Sequence, residues 1–461
     1  MRARRKLYAP PMNTHDQSDD SASRTQLESL ASAALERAAT GGAEQAEVAV
    51  SRDTGLSVTA RLRDIETLEY QADRGLGVTV YVAGSKGSAS SGDFSAEALD
   101  RAVDKALSIA RQTSADPCAG LADAERLCEK PLSIALDFPW ALSPEDAREL
   151  AIASESAALD TDPRIQNSEG AQVSTHRSMR VYANSHGFVG FDQRSRHSIS
   201  CSVIGADDAG GMERDYEYTL ARDPAELVDG LAVGREAATR AVRRLGSRQL
   251  STQRCPVVYS ADMARGLLGH AVSAMSGAAQ YRKASFLQDA VGERLFPAWL
   301  QWHERPHLDR GLGSAAFDNE GVTTVDRHLV ADGKFSSYIL SSYSARRLGL
   351  ETTGHAGGLH NVDVLANGHT SDRLLAEVGS GFLVTELMGQ GVNMLTGDYS
   401  RGAAGYWFED GEIRFPVSEV TVAGNLRDIY ASIRAIGTDR DLRGLIRTGS
   451  VWVDGMTVAG S

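Results

Sequence analysis

Residues 384–407, VTELMGQGVNMLTGDYSRGAAGYW, hold five glycines (Gly389, Gly391, Gly397, Gly402, Gly405) among Glu386, Gln390, Asn393, Asp398, Ser400 and Arg401. A regular helix does not fit this stretch. Each interior glycine costs about 1 kcal/mol against alanine, and no helical apolar period runs through it. Glycines at this density allow positive φ and close approach to another chain or a ligand. Two readings stand: a structural glycine-rich turn between strands, or a polar loop held firmly enough by its neighbours to bind something.

The other bounds are broad. A chain of 461 residues fits two or three domains, and 42% hydrophobic residues supply ample core. A net charge of -13, with no basic run beyond residues 2–6, argues against wrapping nucleic acid. Cys118, Cys128, Cys201 and Cys255 are scattered without a CxxC pair, as free thiols of a reducing cytosol are. No run approaches the roughly 18 apolar residues of a membrane span. The basic start MRARRKLYAPP lacks the apolar stretch of a secretory signal. Met12 is an alternative start to Met1, and the polar residues 12–24 read as disordered.

Apolar spacing predicts helices over 25–40, 96–112, 144–159, 225–244 and 261–275. Alternating runs predict strands at 46–52, 56–64, 66–72, 77–82, 168–175, 180–183, 187–193, 198–204 and 256–260. Two Asp-Gly pairs, Asp410-Gly411 and Asp454-Gly455, predict hairpins over 406–415 and 450–458. The pattern is α+β. A disordered tail (1–24) precedes an N-terminal α/β-layered domain with antiparallel strands and helices (25–248), and a β-rich C-terminal domain (249–461) follows.

Few motifs carry chemistry. His303-Glu304-Arg305-Pro306-His307 fits HExxH, whose zinc chemistry needs both histidines one turn apart on a helix. Pro306 breaks that helix, so the match reads as a loop coincidence. Gly354-His355-Ala356-Gly357-Gly358-Leu359-His360 places two histidines in a flexible loop; without a third ligand nearby they read as hydrogen-bonded or as contacts to substrate or partner. Ser341-Ser342-Tyr343-Ser344-Ala345-Arg346-Arg347 offers hydroxyls beside two arginines, either an anion site or a capped helix start. There is no G-x-S-x-G elbow and no P-loop, and position 394 is methionine where a dinucleotide fingerprint has its third glycine.

Several long blocks resemble the TldD/PmbA family in its PmbA (TldE) branch, from about residue 25 to the end. They include GLSVTARLRDIETLEY (55–70), GLGVTVYVAGSKGSASSGD (75–93), DPCAGLAD (116–123), NSHGF (184–188), MERDYEYT (212–219), SSYSARRLGL (341–350) and TGHAGGLHN (353–361). The resemblance implies a cytosolic bacterial protein that partners a TldD-like subunit. The pair would act as a metalloprotease on unfolded or leader-type peptides, in peptide maturation and antitoxin breakdown. The TldD branch carries HExxxH on a metal helix, with a later cysteine ligand. Here Gly269-His270 stands for His-Glu, Ala274 for the second histidine and Thr448 near the cysteine position. One lone histidine cannot supply the roughly three protein ligands of a zinc site.

The resemblance therefore implies no catalytic residue, no metal ligand and no cofactor in this chain, with zinc in the TldD-like partner. Tyr343, His355, His360, Glu386, Asp398, Ser400 and Arg401 are the expected contacts to substrate or partner. An extended peptide added as a strand would suit the C-terminal domain. Alone, the chain is expected to be able to form homodimers. The alternative is a non-enzymatic regulator or scaffold, after an older family label tied to DNA gyrase modulation.

Overall fold

The structure, a computed structural model, describes residues 14–460. Its N-terminal half runs α1 (Thr14–Thr40), β1 (Gln45–Arg61), β2 (Asp64–Val82), β3 (Ser85–Ser91), α2 (Ala96–Gln112), α3 (Pro144–Leu159), β4 (Ile165–Asn184), β5 (Val189–Ala206), β6 (Met212–Ala221) and α4 (Gly230–Arg244). The strands form one antiparallel sheet in the order β3-β2-β1-β4-β5-β6. The four short runs expected over 46–82 are two long strands, paired from Gln45↔Tyr81 to Arg61↔Asp64 with one bulge. Even-numbered residues of β1 point to the helices, as strand alternation requires. Val48 and Val50 pack under α1 and α2, while Leu56, Val58 and Ala60 pack under α3. Ser95 and Ser143 cap α2 and α3 by accepting from Ala98 N and Asp146 N.

Helix α1 corrects the expected tail. Residues 14–24 are its first turns, whereas residues 1–13 lie outside the described residues. Local composition is polar there, but tertiary partners hold the helix. Asp20 accepts from Arg177 Nη1 at 3.0 Å, Arg52 donates to Ser23 Oγ at 3.1 Å, and the Arg24 guanidinium lies over the Phe191 ring at 4.8 Å. Tertiary context of this kind overrides composition.

The C-terminal half runs β7 (Gln253–Tyr259), α5 (Ala261–Met275), α6 (Gly277–Tyr281), β8 (Trp302–Glu304), β9 (Arg327–Ala331), β10 (Lys334–Phe335), α7 (Ser342–Leu348), β11 (Val362–Val364), α8 (Ser371–Val378), β12 (Gly381–Met388), β13 (Asp398–Glu409), β14 (Glu412–Asn425), α9 (Leu426–Ala431), β15 (Ile433–Ile436), β16 (Ile446–Arg447) and β17 (Val451–Ala459). The larger sheet has the order β14-β13-β12-β7-β17-β15, and β14 also pairs with β17. That pairing closes five strands into a ring and leaves β15 at the edge. A smaller sheet, β10-β9-β8-β11-β16, adjoins it. Both share one core with α5 and α9, anchored by buried Tyr259, Phe296, Trp302, Phe335, Phe382, Tyr399 and Tyr430. Among the described residues no helix is long and apolar enough to cross a membrane.

The two Asp-Gly signals end differently. Asp410 (φ 53°) and Gly411 (φ 77°) turn β13 into β14, as the expected hairpin does. Gly455 (φ 83°) instead sits in a bulge inside the continuous strand β17, where the register to β7 shifts between Val453 and Met456. A left-handed glycine serves a bulge as well as a turn.

Arg222 ties the halves together. Buried to 3% exposure, it donates to Ser195 O (3.0 Å) in β5 and to Gly311 O (2.9 Å) and Leu312 O (2.7 Å) beyond β8. Arg222→Met should strand three carbonyls and lower stability by at least about 2 kcal/mol, read from the urea midpoint. A change below about 0.5 kcal/mol would show that the clasp is dispensable.

Candidate functional site

Pro306 keeps His303-Glu304-Arg305-Pro306-His307 off a helix, and residues 302–304 form β8 between β9 and β11. Alternation along β8 turns Trp302 and Glu304 inward and His303 outward, where His303 stacks on His328 at 4.6 Å. His307 pairs with Thr324 Oγ1 at 2.9 Å. The HExxH histidines are thus apart from one another, and Glu304 belongs to another group.

That group comes from the loop 353–361. Gly354 has φ 73°, and a Cβ on it would lie 2.7 Å from Thr323 O; Gly357 and Gly358 have φ 103° and 111°. These turns fold the loop back so that both histidines reach Glu304. His355 Nε2 stands 2.8 and 3.0 Å from the two carboxylate oxygens. His360 donates its backbone N–H to Oε1 at 2.9 Å and holds Nδ1 3.4 Å from the same oxygen. Thr353 Oγ1 contacts His355 Nδ1 at 2.8 Å. Asn361 locks the far end, donating to Arg305 O and Ser314 Oγ while accepting from Gly313 N. The Glu304 and His355 side chains are 1% exposed and that of His360 is 6% exposed.

Electrostatics follow from burial. Burial raises the Glu304 pKa, but the hydrogen bond from His355 and the nearby imidazoles outweigh it and hold the carboxyl below its usual range. Burial pushes His360 down to about 4, so it is neutral near pH 7. Its Nδ1 makes no hydrogen bond. Arg327 Nε, also without a hydrogen bond, lies 3.8 Å from Glu304 Oε2. Among the described residues, Glu304, His355 and His360 are the group of three side chains able to hold a metal ion, with donor atoms all within 4.8 Å. The HExxH match names Glu304 but not this grouping, because its partners come some fifty residues later (|i−j| of 51 and 56). The usable signal was the strand-like Trp302 before it and the proline after it.

The helix position implied by the resemblance is different in kind. Ala274 on α5 is fully buried in core, and Thr448 is fully buried with its hydroxyl donating to Gly449 O at 3.1 Å. His270 lies edge-on to Tyr399 at 5.9 Å with its Nε2 buried and unpartnered. Burial first, then the charge of Arg401, lowers its pKa. One imidazole, one methyl and one hydroxyl do not fit a catalytic zinc ion.

The glycine-rich stretch is a hairpin, β12–β13, rather than one long loop. A Cβ at Gly405 would meet Leu383 O at 1.9 Å and one at Gly391 would meet Ser400 O at 1.8 Å, so the glycines permit close backbone contact within the chain itself. Asp398 and Ser400 are exposed on β13. Asp398 accepts from Thr396 Oγ1, and half-buried Arg401 donates to Met388 O at 3.4 Å. Glu386 pairs with Arg244 of α4. Tyr343 lies apart, donating to Asp116 Oδ2 at 2.8 Å in a link between the halves. Ser341 caps α7 in a reciprocal box with Ser344. The expected contact residues thus separate into the buried loop pair (His355, His360), the hairpin group (Glu386, Asp398, Ser400, Arg401) and Tyr343. All four cysteines are free.

Known proteins match this architecture. The chain matches domain 1 of the PmbA/TldA metallopeptidases over residues 46–110, their central domain over 137–245 and their C-terminal domain over 252–460. The first two of these divide a single continuous sheet. Metalloprotease PmbA of Escherichia coli O157:H7 is 48% identical over 95% of this chain and 97% of its own length. The Metalloprotease PmbA homolog of Haemophilus influenzae is 45% identical over 95% and 96%. A Bacteroides thetaiotaomicron structure labelled a modulator of DNA gyrase superposes with TM-score 0.90 at 27% identity, covering 94% of this chain and 99% of that one. Fold and matches together define a metallopeptidase-family protein. The chain belongs to the PmbA/TldD family.

Because His355 supplies the side-chain donor to a buried carboxylate, His355→Ala should cost about 3 kcal/mol in chelator-treated protein. Guanidinium unfolding checks this. An unchanged midpoint would show that Arg327 or water replaces the imidazole.

Proposed function

We propose that this chain is the PmbA-like subunit of a cytosolic two-subunit metalloprotease. In this reading a TldD-like partner supplies the zinc and the catalytic glutamate. This chain shapes the chamber that receives unfolded or leader-type peptides, with peptide maturation and antitoxin breakdown as the cellular roles. The observation that carries the reading is the filled helix position: Gly269, Ala274 and Thr448 stand where the TldD branch has ligands, and two of the three are packed into core.

A metal held by that partner would polarise a peptide carbonyl and activate a water. This chain's share is positioning. Ser400 and Arg401 on β13 offer a hydroxyl and a guanidinium to backbone carbonyls or to a partner carboxylate, and the Arg401 charge also bears on His270. Strand addition at this hairpin finds little support, because β13 already pairs with β12 and β14. Side-chain capture over the hairpin replaces it. A regulator or scaffold without proteolysis is the second reading. It rests on the gyrase-modulator label of the Bacteroides protein, and the net charge of -13 argues against direct DNA contact.

Purified alone, the chain should leave an unstructured peptide intact even with zinc added, and it should cleave when mixed with a TldD-like subunit. Hydrolysis by the lone chain overturns the division of labour, and an inert pair favours the scaffold. In the active pair, Arg401→Ala should raise KM or the subunit Kd about tenfold, as loss of a charge-assisted hydrogen bond of about 1.5 kcal/mol does. Unchanged constants would remove Arg401 from the binding surface.

A further inference from the structure

We propose that this chain binds a divalent transition-metal ion of the zinc class at Glu304, His355 and His360, away from the helix position of the TldD branch. The donor set is two imidazoles and one carboxylate, which suits zinc, cobalt(II) or nickel far better than calcium or magnesium. Geometry agrees. Ligands about 2.0–2.1 Å from a tetrahedral zinc ion lie roughly 3.3 Å from one another. Here His355 Nε2 is 2.8 Å from Oε2 and His360 Nδ1 3.4 Å from Oε1 of Glu304, with one donor atom from each of the three side chains within 4.8 Å of the others.

A second, independent observation is the orphaned His360 Nδ1. It is nine-tenths buried, aimed at Glu304 and unbonded. Buried polar atoms are rarely left so, and an ion between the three side chains gives this nitrogen a partner. The outer groups fit as well. In the metal-free form His355 Nε2–H donates to the carboxylate. On binding, the proton resides on Nδ1 and is donated to Thr353 Oγ1 at 2.8 Å, whose own hydroxyl proton reaches Leu340 O at 3.3 Å. The net proton count of the ring is unchanged, because Nε2 releases its proton to solvent as Nδ1 takes one up, and Thr353 fixes the ring as the outer partner of a metal-bound histidine does. Glu304 Oε1 keeps the N–H of His360, which leaves Oε2 for the ion. Arg327, 3.8 Å away, balances the carboxylate charge when no ion is bound.

Access exists on one side. His360 and Leu359 line a cleft of about 980 Å³ between the halves, walled also by Arg180, Phe191 and Asp318. Glu304 and His355 do not line that cleft. With three protein ligands, a water would complete a tetrahedral ion.

The test uses the lone full-length chain, stripped with chelator and titrated with zinc and, separately, cobalt(II). The expected result is about one ion per chain, with cobalt bands of a four-coordinate N/O site and X-ray absorption showing two imidazoles. His360→Ala should abolish uptake, and His270→Ala should leave it unchanged. Thr353→Val should weaken affinity about 10- to 100-fold. If His360→Ala does not fold, the absorption spectrum of the unaltered chain decides: no scattering from two imidazoles overturns the site. So does a chain that takes up no ion, or one whose ion is lost with His270. A lone chain that holds this ion yet cleaves nothing satisfies both this inference and the subunit reading, so the two fail separately.

Discussion

The pairing of β14 with β17 is the constraint on which the C-terminal half rests. Only three residue pairs make it, Thr421↔Ala459, Val422↔Val458 and Ala423↔Thr457, yet it converts a sheet into a closed ring. Closure brings the last strand of the chain against the long hairpin before it. Elsewhere in this half, backbones meet closely at glycine. At Gly405 and Gly460 an added Cβ would stand 1.9 Å from Leu383 O and 1.8 Å from Leu250 O. Around that frame Tyr259, Tyr399 and Tyr430 fill the core, and the smaller sheet is placed so that β8 and β11 carry Glu304 and the His360 loop to one point.

Much of the fold was legible because it is encoded locally. The helices 96–112, 144–159 and 261–275 have amphipathic spacing, and the first two have serine caps, so period and start signals agree. Helix α1 was read short because its first turns depend on Asp20 meeting Arg177, a contact over 157 positions. The hairpin expected at Asp454-Gly455 failed for another reason. A left-handed glycine marks a backbone angle, and whether the chain then turns or continues depends on neighbouring strands.

The site was legible in pieces. His355 and His360 stood out by their glycine setting, and Glu304 stood out inside a motif that Pro306 forbids. What the sequence could not supply was their meeting, which β8 pairing with β11 produces. The hairpin residues Glu386, Asp398, Ser400 and Arg401 do share one element, but Glu386 is committed to Arg244 and Tyr343 to Asp116. Side chains that looked available as contacts are in part fastenings between the halves.

The packing around Ala274 and Thr448 limits which substitutions those positions accept. Ala274 is fully enclosed, and a Cβ on neighbouring Gly449 would lie 2.0 Å from Gly437 O. An imidazole introduced at position 274 would need room in the core cluster that holds Leu267 and Leu268, and overpacking a filled core costs about 1–3 kcal/mol or more. Building a metal-ligand set there takes several simultaneous changes, each unfavourable until the others are present. Single substitutions toward such a set would therefore be filtered out by stability before any of them could be tested for metal binding.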